Sequence, residues 1–233
     1  MSFLALSDAD SLAWRKNFVQ TFLERDLPQL GVRIPATTLL RFWTMLAHYH
    51  GQIWNAAEFA RALGIGETTA RRYLDLMEGV FMARQLQPWH ANIQKRQVKS
   101  PKIYLRDSGL LHHLLGIRSP LELQTHPKVG ASWEGYAIEE IFKAVAPDEA
   151  YFWATHNGAE LDLVLLKHGH KFGVECKRVD APRLTASMRT ALDDLQLDQI
   201  AVIYPGDRRY PLAERITAVP LEAVSAAQTL FST

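Results

Sequence analysis

The triplet Glu175-Cys176-Lys177 closes the apolar run Phe172-Gly173-Val174. Side chains alternate along a strand, so Glu175 and Lys177 share one face while Cys176 turns to the other. An acid and a lysine aimed at one point suit metal-assisted phosphodiester chemistry. The carboxylate would hold a hard cation, and the ammonium would position a water or steady phosphate charge. Acid-x-lysine also arises by chance in a chain of 233 residues, so the neighbouring residues decide whether the triplet carries chemistry.

The nearest partner is Asp162, in Glu160-Leu161-Asp162-Leu163-Val164-Leu165-Leu166. Leu161, Leu163 and Leu165 face one way, and Asp162, Val164 and Leu166 the other. A carboxylate on an otherwise apolar strand is costly unless it is paired or bound to metal. Upstream, Tyr151 to His156 reads as a strand, and Asn157-Gly158 between two apolar runs is a two-residue hairpin signal. Lys167-His168-Gly169-His170-Lys171 reads as the next turn. Three antiparallel strands follow, with Asp162 on the second and Glu175 and Lys177 on the third, so the two acids can lie side by side.

Before these strands, Ser132 starts a helix with an apolar stripe through Trp133, Ala137, Ile138, Ile141 and Phe142, and Glu134 lies in its first turn. After them, Arg183 to Leu195 reads as an amphipathic helix and Gln199 to Tyr204 as a buried strand stopped by Pro205-Gly206. A helix bearing a glutamate, a strand bearing an aspartate and a strand bearing Glu-x-Lys, in the order αβββαβ, resemble the core of the PD-(D/E)XK nuclease superfamily over about residues 130 to 205. That resemblance implies that Asp162 and Glu175 ligate Mg²⁺ or Mn²⁺. It also implies that Lys177 assists the attacking water or the transition state and that Glu134 supports the metal site. Leu161 stands where the motif's name places a proline.

Composition bounds the alternatives. The length suits two domains of ordinary size. No segment approaches the roughly 18 uncharged apolar residues of a membrane span, and the N-terminus lacks the basic start of a signal peptide, so a cytoplasmic location is expected. One cysteine excludes an internal disulfide and any cysteine-rich zinc site, and Cys176 reads as a small core residue. The net charge of +1 is uninformative, but local charge is not. Between Arg84 and Arg106 there are six basic residues and no acid, with Trp89, His90 and Tyr104 interspersed, which suits a polyanion.

Just upstream, Asn55 to Met77 reads as a capped helix, a glycine-containing turn and a second helix, a helix-turn-helix pattern. Thr68, Thr69, Arg71 and Arg72 near the start of the second helix suit phosphates or base edges. If Val80 to Leu86 and Lys102 to Leu105 pair as strands, the loop carrying Lys95, Arg96 and Lys99 becomes a wing. A further helix over Asp10 to Leu27 aligns Trp14, Phe18, Phe22 and Leu23, with Pro28 ending it. The expected fold class is therefore α/β (α+β), a helical winged helix-turn-helix followed by a restriction-endonuclease-like core. The expected divisions are an N-terminal helix and linker over 1–34, the winged domain over 35–120 and the nuclease-like domain over 121–233.

Taken in order from about Ala13 to Lys177, Leu23-Glu24-Arg25-Asp26-Leu27-Pro28-Gln29-Leu30, the helix-turn-helix, Pro101 to Leu111, Trp133-Glu134, Glu160-Leu161-Asp162 and Glu175-Cys176-Lys177 resemble the region that follows the ATPase domain in bacterial and archaeal AAA+-type ATPases. No Gly-x-x-x-x-Gly-Lys-[Ser/Thr] occurs in the sequence, so this chain has no ATP site and no ATP hydrolysis is expected of it. Its expected partners are DNA and a separate or missing ATPase domain. Two classes of function follow: a Mg²⁺-dependent nuclease that grips DNA, or a catalytically inactive DNA- or protein-binding accessory of an ATPase.

Overall fold

A computed structural model describes residues 7–89, 100–155, 158–225 and 230–231. The fold is mixed α/β. The chain divides into two compact units, one of Met1–Gln85 with Ile103–Ser132, the other of Leu86–Lys102 with Trp133–Thr233.

In the first unit, α1 (Asp8–Thr21) is capped by the Ser7 hydroxyl, which accepts from the Asp10 backbone N–H. Trp14, Phe18 and Phe22 recur one helical turn apart, and their rings stack with centroids 5.2 and 5.8 Å apart. Pro28 does not end this helix as the sequence predicts. A π-helical turn, Phe22–Asp26, leads instead into the short α2 (Leu27–Gln29), with the Leu27 N–H bonded to the Phe22 carbonyl. Proline lacks an N–H and crowds the carbonyl four residues back, and a turn widened to five-residue bonds relieves that crowding.

Helix α3 (Ala36–His48) buries Leu39, Phe42, Trp43, Leu46 and Ala47. After β1 (Gln52–Ile53) comes α4 (Ala56–Leu63), capped by Asn55 and ended by Gly64 in the left-handed conformation, φ 67°. A short turn leads into α5 (Glu67–Gly79). The Phe42 ring meets Trp54, Phe59 and Tyr73 edge-on, which ties α3, α4 and α5 into one core. Strands β2 (Ala83–Leu86) and β3 (Lys102–Leu105) complete a three-stranded sheet of order β1-β3-β2. The strand expected from Val80 starts only at Ala83, because α5 runs to Gly79 and Phe81 turns the chain at φ 62°. The expected wing residues Lys95, Arg96 and Lys99 lie outside the described residues. Helices α6 (Ser108–Leu114) and α7 (Pro120–Thr125) follow.

Helix α8 (Val129–Val145) starts three residues before the expected Ser132, which is buried inside it rather than capping it. Then come β4 (Glu149–Ala154), β5 (Glu160–Lys167), β6 (His170–Cys176), α9 (Ala186–Asp194), β7 (Gln199–Tyr204), β8 (Tyr210–Ala213), β9 (Ile216–Pro220) and α10 (Leu221–Ser225). The strands form one six-stranded sheet of order β4-β5-β6-β7-β9-β8. Its first three are antiparallel, and β6, β7 and β9 run parallel. Of the expected hairpin, β4 stops at Ala154, the Thr155 N–H donates to the Ala159 carbonyl, and His156 and Asn157 lie outside the described residues. Thr185 caps α9, which begins three residues later than the Arg183 expected, and its Met188 and Ala191 pack on Leu161, Val164 and Val202. In β6 a Cβ on Gly173 would stand within 2.9 Å of side-chain carbons of Leu197, Ile200 and Leu161. A side chain here would force those neighbours to shift.

The first unit also carries a buried histidine. His50 is 1% exposed, its Nδ1 accepts from the Leu105 N–H at 2.9 Å, and its Nε2 lies 3.1 Å from the Ala131 carbonyl. An acceptor at Nδ1 fixes the proton on Nε2, which donates to Ala131, so the neutral ring satisfies both bonds. Burial pushes its pKa down to about 4, the Ala131 carbonyl opposing. Because the unfolded chain takes up this proton near pH 6.5 and the folded chain near 4, stability is lost as pH falls through that window, by roughly 3 kcal/mol at its lower end. Urea denaturation at pH 7 and pH 4 checks this. His50→Gln should show a flatter pH dependence than the wild type, and equal slopes would refute the assignment.

Candidate metal and phosphodiester site

The second unit assembles the acids. The β5–β6 register sets Leu163 against Val174, and one further step in it sets Asp162 against Glu175 on the same face of the sheet. The Cys176 backbone N–H donates to Asp162 Oδ2 at 2.8 Å, which locks the aspartate across the two strands. Lys177, just past β6, donates its own N–H to the Ile203 carbonyl at 2.8 Å, and its ammonium pairs with Glu175 Oε1. Asp162 is 5% exposed and Glu175 is 3% exposed. The second oxygen of Glu175, Oε2, is buried and has no hydrogen-bond partner.

Sequence reasoning missed one residue here. Lys102, at the head of β3, is buried, and its Nζ lies 3.8 Å from both Glu134 Oε1 and Asp162 Oδ1. It also stands 5.6 Å from the centroid of the Phe152 ring. Glu134, on α8, therefore meets Asp162 through this ammonium. The available signal was a lysine opening the apolar run Ile103-Tyr104-Leu105, but the surrounding basic stretch absorbed it as surface charge.

The charges act on one another strongly. Burial raises the Asp162 pKa, against the lowering pull of Lys102, the Cys176 N–H and Lys177. Burial and then the neighbouring Asp162 push Glu175 up to about 8, with Lys177 opposing. Burial works to lower Lys102, but Glu134, Asp162, Glu160 and Glu175 outweigh it and its pKa rises. Lys177 behaves likewise, with Glu175 as its main partner. Burial and the nearby carboxylates raise Cys176 well above an ordinary thiol, which makes it an inert core residue.

Among the described residues, no three His, Cys, Asp or Glu side chains form a metal-binding group. Magnesium, however, commonly takes one or two carboxylates and completes its shell with water and substrate oxygens. The orphaned Glu175 Oε2 beside Asp162 fits that donor set.

In the first unit, Thr68, Thr69, Arg71 and Arg72 all lie in the first half of α5. Thr68, Arg71 and Arg72 are exposed and Thr69 is half-buried. Thr69 and Arg72 line a cavity of about 480 Å³ with Arg33, Ile34 and Tyr73.

Two family models match the sequence. The one described as "Domain of unknown function (DUF8612)" matches residues 2–121, just over half of the chain. The chain belongs to this family. The one described as "Domain of unknown function (DUF4143)" matches residues 129–224, and DUF4143 is typically found in the C-terminal region of AAA-ATPase-like proteins. The uncharacterized proteins Rv2008c of Mycobacterium tuberculosis and Mb2031c of Mycobacterium bovis are each 54% identical over 223 residues, 96% of this chain and 51% of theirs. The chain thus spans about half the length of these curated relatives. Protein VC1899 from Vibrio cholerae is a solved structure with 9% identity and a TM-score of 0.27, covering 94% of this chain and 54% of its own. At that score the likeness carries no argument.

Glu175 is held at a cost. Its folded pKa of about 8 lies above the 4.5 of an ordinary glutamate, so between those values the folded chain holds the proton more tightly than the unfolded chain, and stability falls as pH rises. Glu175→Gln is therefore expected to raise stability at pH 8 by an amount on the order of 2 kcal/mol and to leave it nearly unchanged at pH 4. Denaturant titrations at the two pH values check this, and a variant less stable at pH 8 than the wild type would contradict it.

Proposed function

We propose that this chain is a DNA-binding, Mg²⁺- or Mn²⁺-dependent phosphodiesterase of the PD-(D/E)XK type. On this reading the first unit is a winged helix-turn-helix, and the chain acts in the cytoplasm as the C-terminal module of an AAA+-type ATPase system. The observation that carries the reading is the unpartnered, buried Glu175 Oε2 beside Asp162 and Lys177. A buried carboxylate oxygen without a partner is costly in a finished structure and is expected where a ligand completes it. The succession α8, β4, β5, β6, α9, β7 supports it, since it follows the helix, three-strand, helix, strand order of that nuclease core.

Asp162 and Glu175, the latter through Oε2, would hold the cation, which when bound would polarise the scissile phosphate and lower the pKa of a bound water. Cys176 would keep Asp162 oriented by donating its N–H to Oδ2. Lys177 is 39% exposed at its side chain, so its ammonium can turn from Glu175 toward a phosphate oxygen and offset the charge that develops there. Glu134 acts indirectly, by holding Lys102 against Asp162. Thr68, Thr69, Arg71 and Arg72 supply phosphate and base-edge contacts, with the basic residues Lys95, Arg96 and Lys99 as a second contact set.

A second reading, a catalytically inactive DNA- or protein-binding accessory of an ATPase, is favoured by one observation: Lys102 and Lys177 already balance most of the carboxylate charge internally. Purified protein incubated with supercoiled, linear and single-stranded DNA in Mg²⁺ or Mn²⁺ separates the two. Cleavage is expected, with Asp162→Asn and Lys177→Ala each reducing it on the order of 100-fold or more. Duplex binding should weaken with salt, and Arg71→Ala should reduce the salt slope by about one unit. Binding without cleavage in any metal would establish the accessory reading.

A further inference from the structure

Lys102 stands where a cation is needed and is built so that it cannot readily leave. Its ammonium lies midway between two carboxylates, 3.8 Å from Glu134 Oε1 and 3.8 Å from Asp162 Oδ1, with only 9% of the side chain exposed. These distances exceed those of a good hydrogen bond, so the contact is one of charge: a compact positive ion filling a gap between two acids. The Phe152 ring stands 5.6 Å away on the same ammonium. Glu175 Oε2, on the strand paired with that of Asp162, has no hydrogen-bond partner.

The two halves of the carboxylate group therefore differ. In a low-dielectric surrounding, a fixed positive charge strongly disfavours a second cation a few ångströms away, and phosphoryl-transfer sites that use two metal ions hold them only about 3.5–4 Å apart. We propose that Lys102 is a built-in cation that occupies the Glu134–Asp162 half of the site and excludes a metal ion from it. A divalent ion is then confined to the Asp162–Glu175 half. The placement of that ion rests on the function proposed above, whereas the exclusion by Lys102 does not.

The test is the number of Mn²⁺ ions bound per chain, counted by paramagnetic resonance of free Mn²⁺ during titration of the full chain, with no DNA present. One ion is expected for the wild type, one for Lys102→Arg and two for Lys102→Met. The gain of one ion on loss of the ammonium is what decides the proposal. If Lys102→Met binds the same number as the wild type, Lys102 excludes nothing and the proposal is overturned. A wild type that binds none while Lys102→Met binds one supports the exclusion and removes the Asp162–Glu175 metal site instead, so the two ideas fail separately. Because Lys102→Met removes the buried ammonium between Glu134 and Asp162, its folding is followed by circular dichroism with and without Mn²⁺. A variant that unfolds in chelator and recovers with millimolar Mn²⁺ supports the proposal. One that stays unfolded with Mn²⁺ counts against it, since a cation that fits the gap would replace the lost ammonium.

Discussion

Two carboxylates buried side by side on adjacent strands set the terms for the second unit. Asp162 and Glu175 are almost fully removed from solvent within strands whose other buried residues are apolar. Taking one carboxylate out of water is costly, and placing a second beside it adds repulsion. The surroundings answer each part of that cost with a specific group. The Cys176 N–H satisfies Asp162 Oδ2, Lys102 faces its other oxygen, and Lys177 holds Glu175 Oε1. Only Glu175 Oε2 is left over.

Those partners exist only because the sheet fixes register. A slip of one residue between β5 and β6 would turn Asp162 or Glu175 to the opposite face and bring an apolar side chain in its place. Gly173 makes such a slip costly. It sits opposite Val164 and packs so closely under Leu161, Leu197 and Ile200 that a residue with a side chain in its position would have to push those neighbours aside. Parallel pairing of β6 with β7 extends the constraint, since the Lys177 N–H donates to the Ile203 carbonyl just where its side chain must turn back to Glu175. The packing that stabilises the sheet and the geometry that aims the charged groups are thus one set of contacts.

Features encoded over a few residues were readable from sequence. The alternation around Glu175 and Lys177 placed both on one face, the leucines around Asp162 marked a buried strand, and Asn55 and Gly64 marked the two ends of α4. Two local expectations failed because a competing local interaction won. Pro28 widens the helix into a π turn rather than stopping it, and Ser132 lies inside α8 although it resembles a cap. Lys102 failed for a different reason. Its partners lie 32 residues away at Glu134 and 60 residues away at Asp162, so nothing in its own neighbourhood distinguishes it from a surface lysine in a basic stretch. Charge pairing across such separations is a property of topology, and a single sequence carries it only implicitly.

The distribution of charge bears on why the arrangement is kept at all. Lys102 and Lys177 face Glu134, Asp162 and Glu175, and burial beside Asp162 raises the Glu175 pKa to about 8, so Glu175 holds its proton at neutral pH. A network maintained only for stability gains little from such an arrangement, because apolar residues of similar volume generally do as well as a buried ion network or better. The buried carboxylate oxygen without a hydrogen-bond partner, Glu175 Oε2, lies on the strand whose following residue is a partly exposed lysine. An acid whose proton is held only weakly above neutral pH, beside an ammonium at the surface, is the pairing on which the proposed uptake of a cation and an anionic substrate would draw.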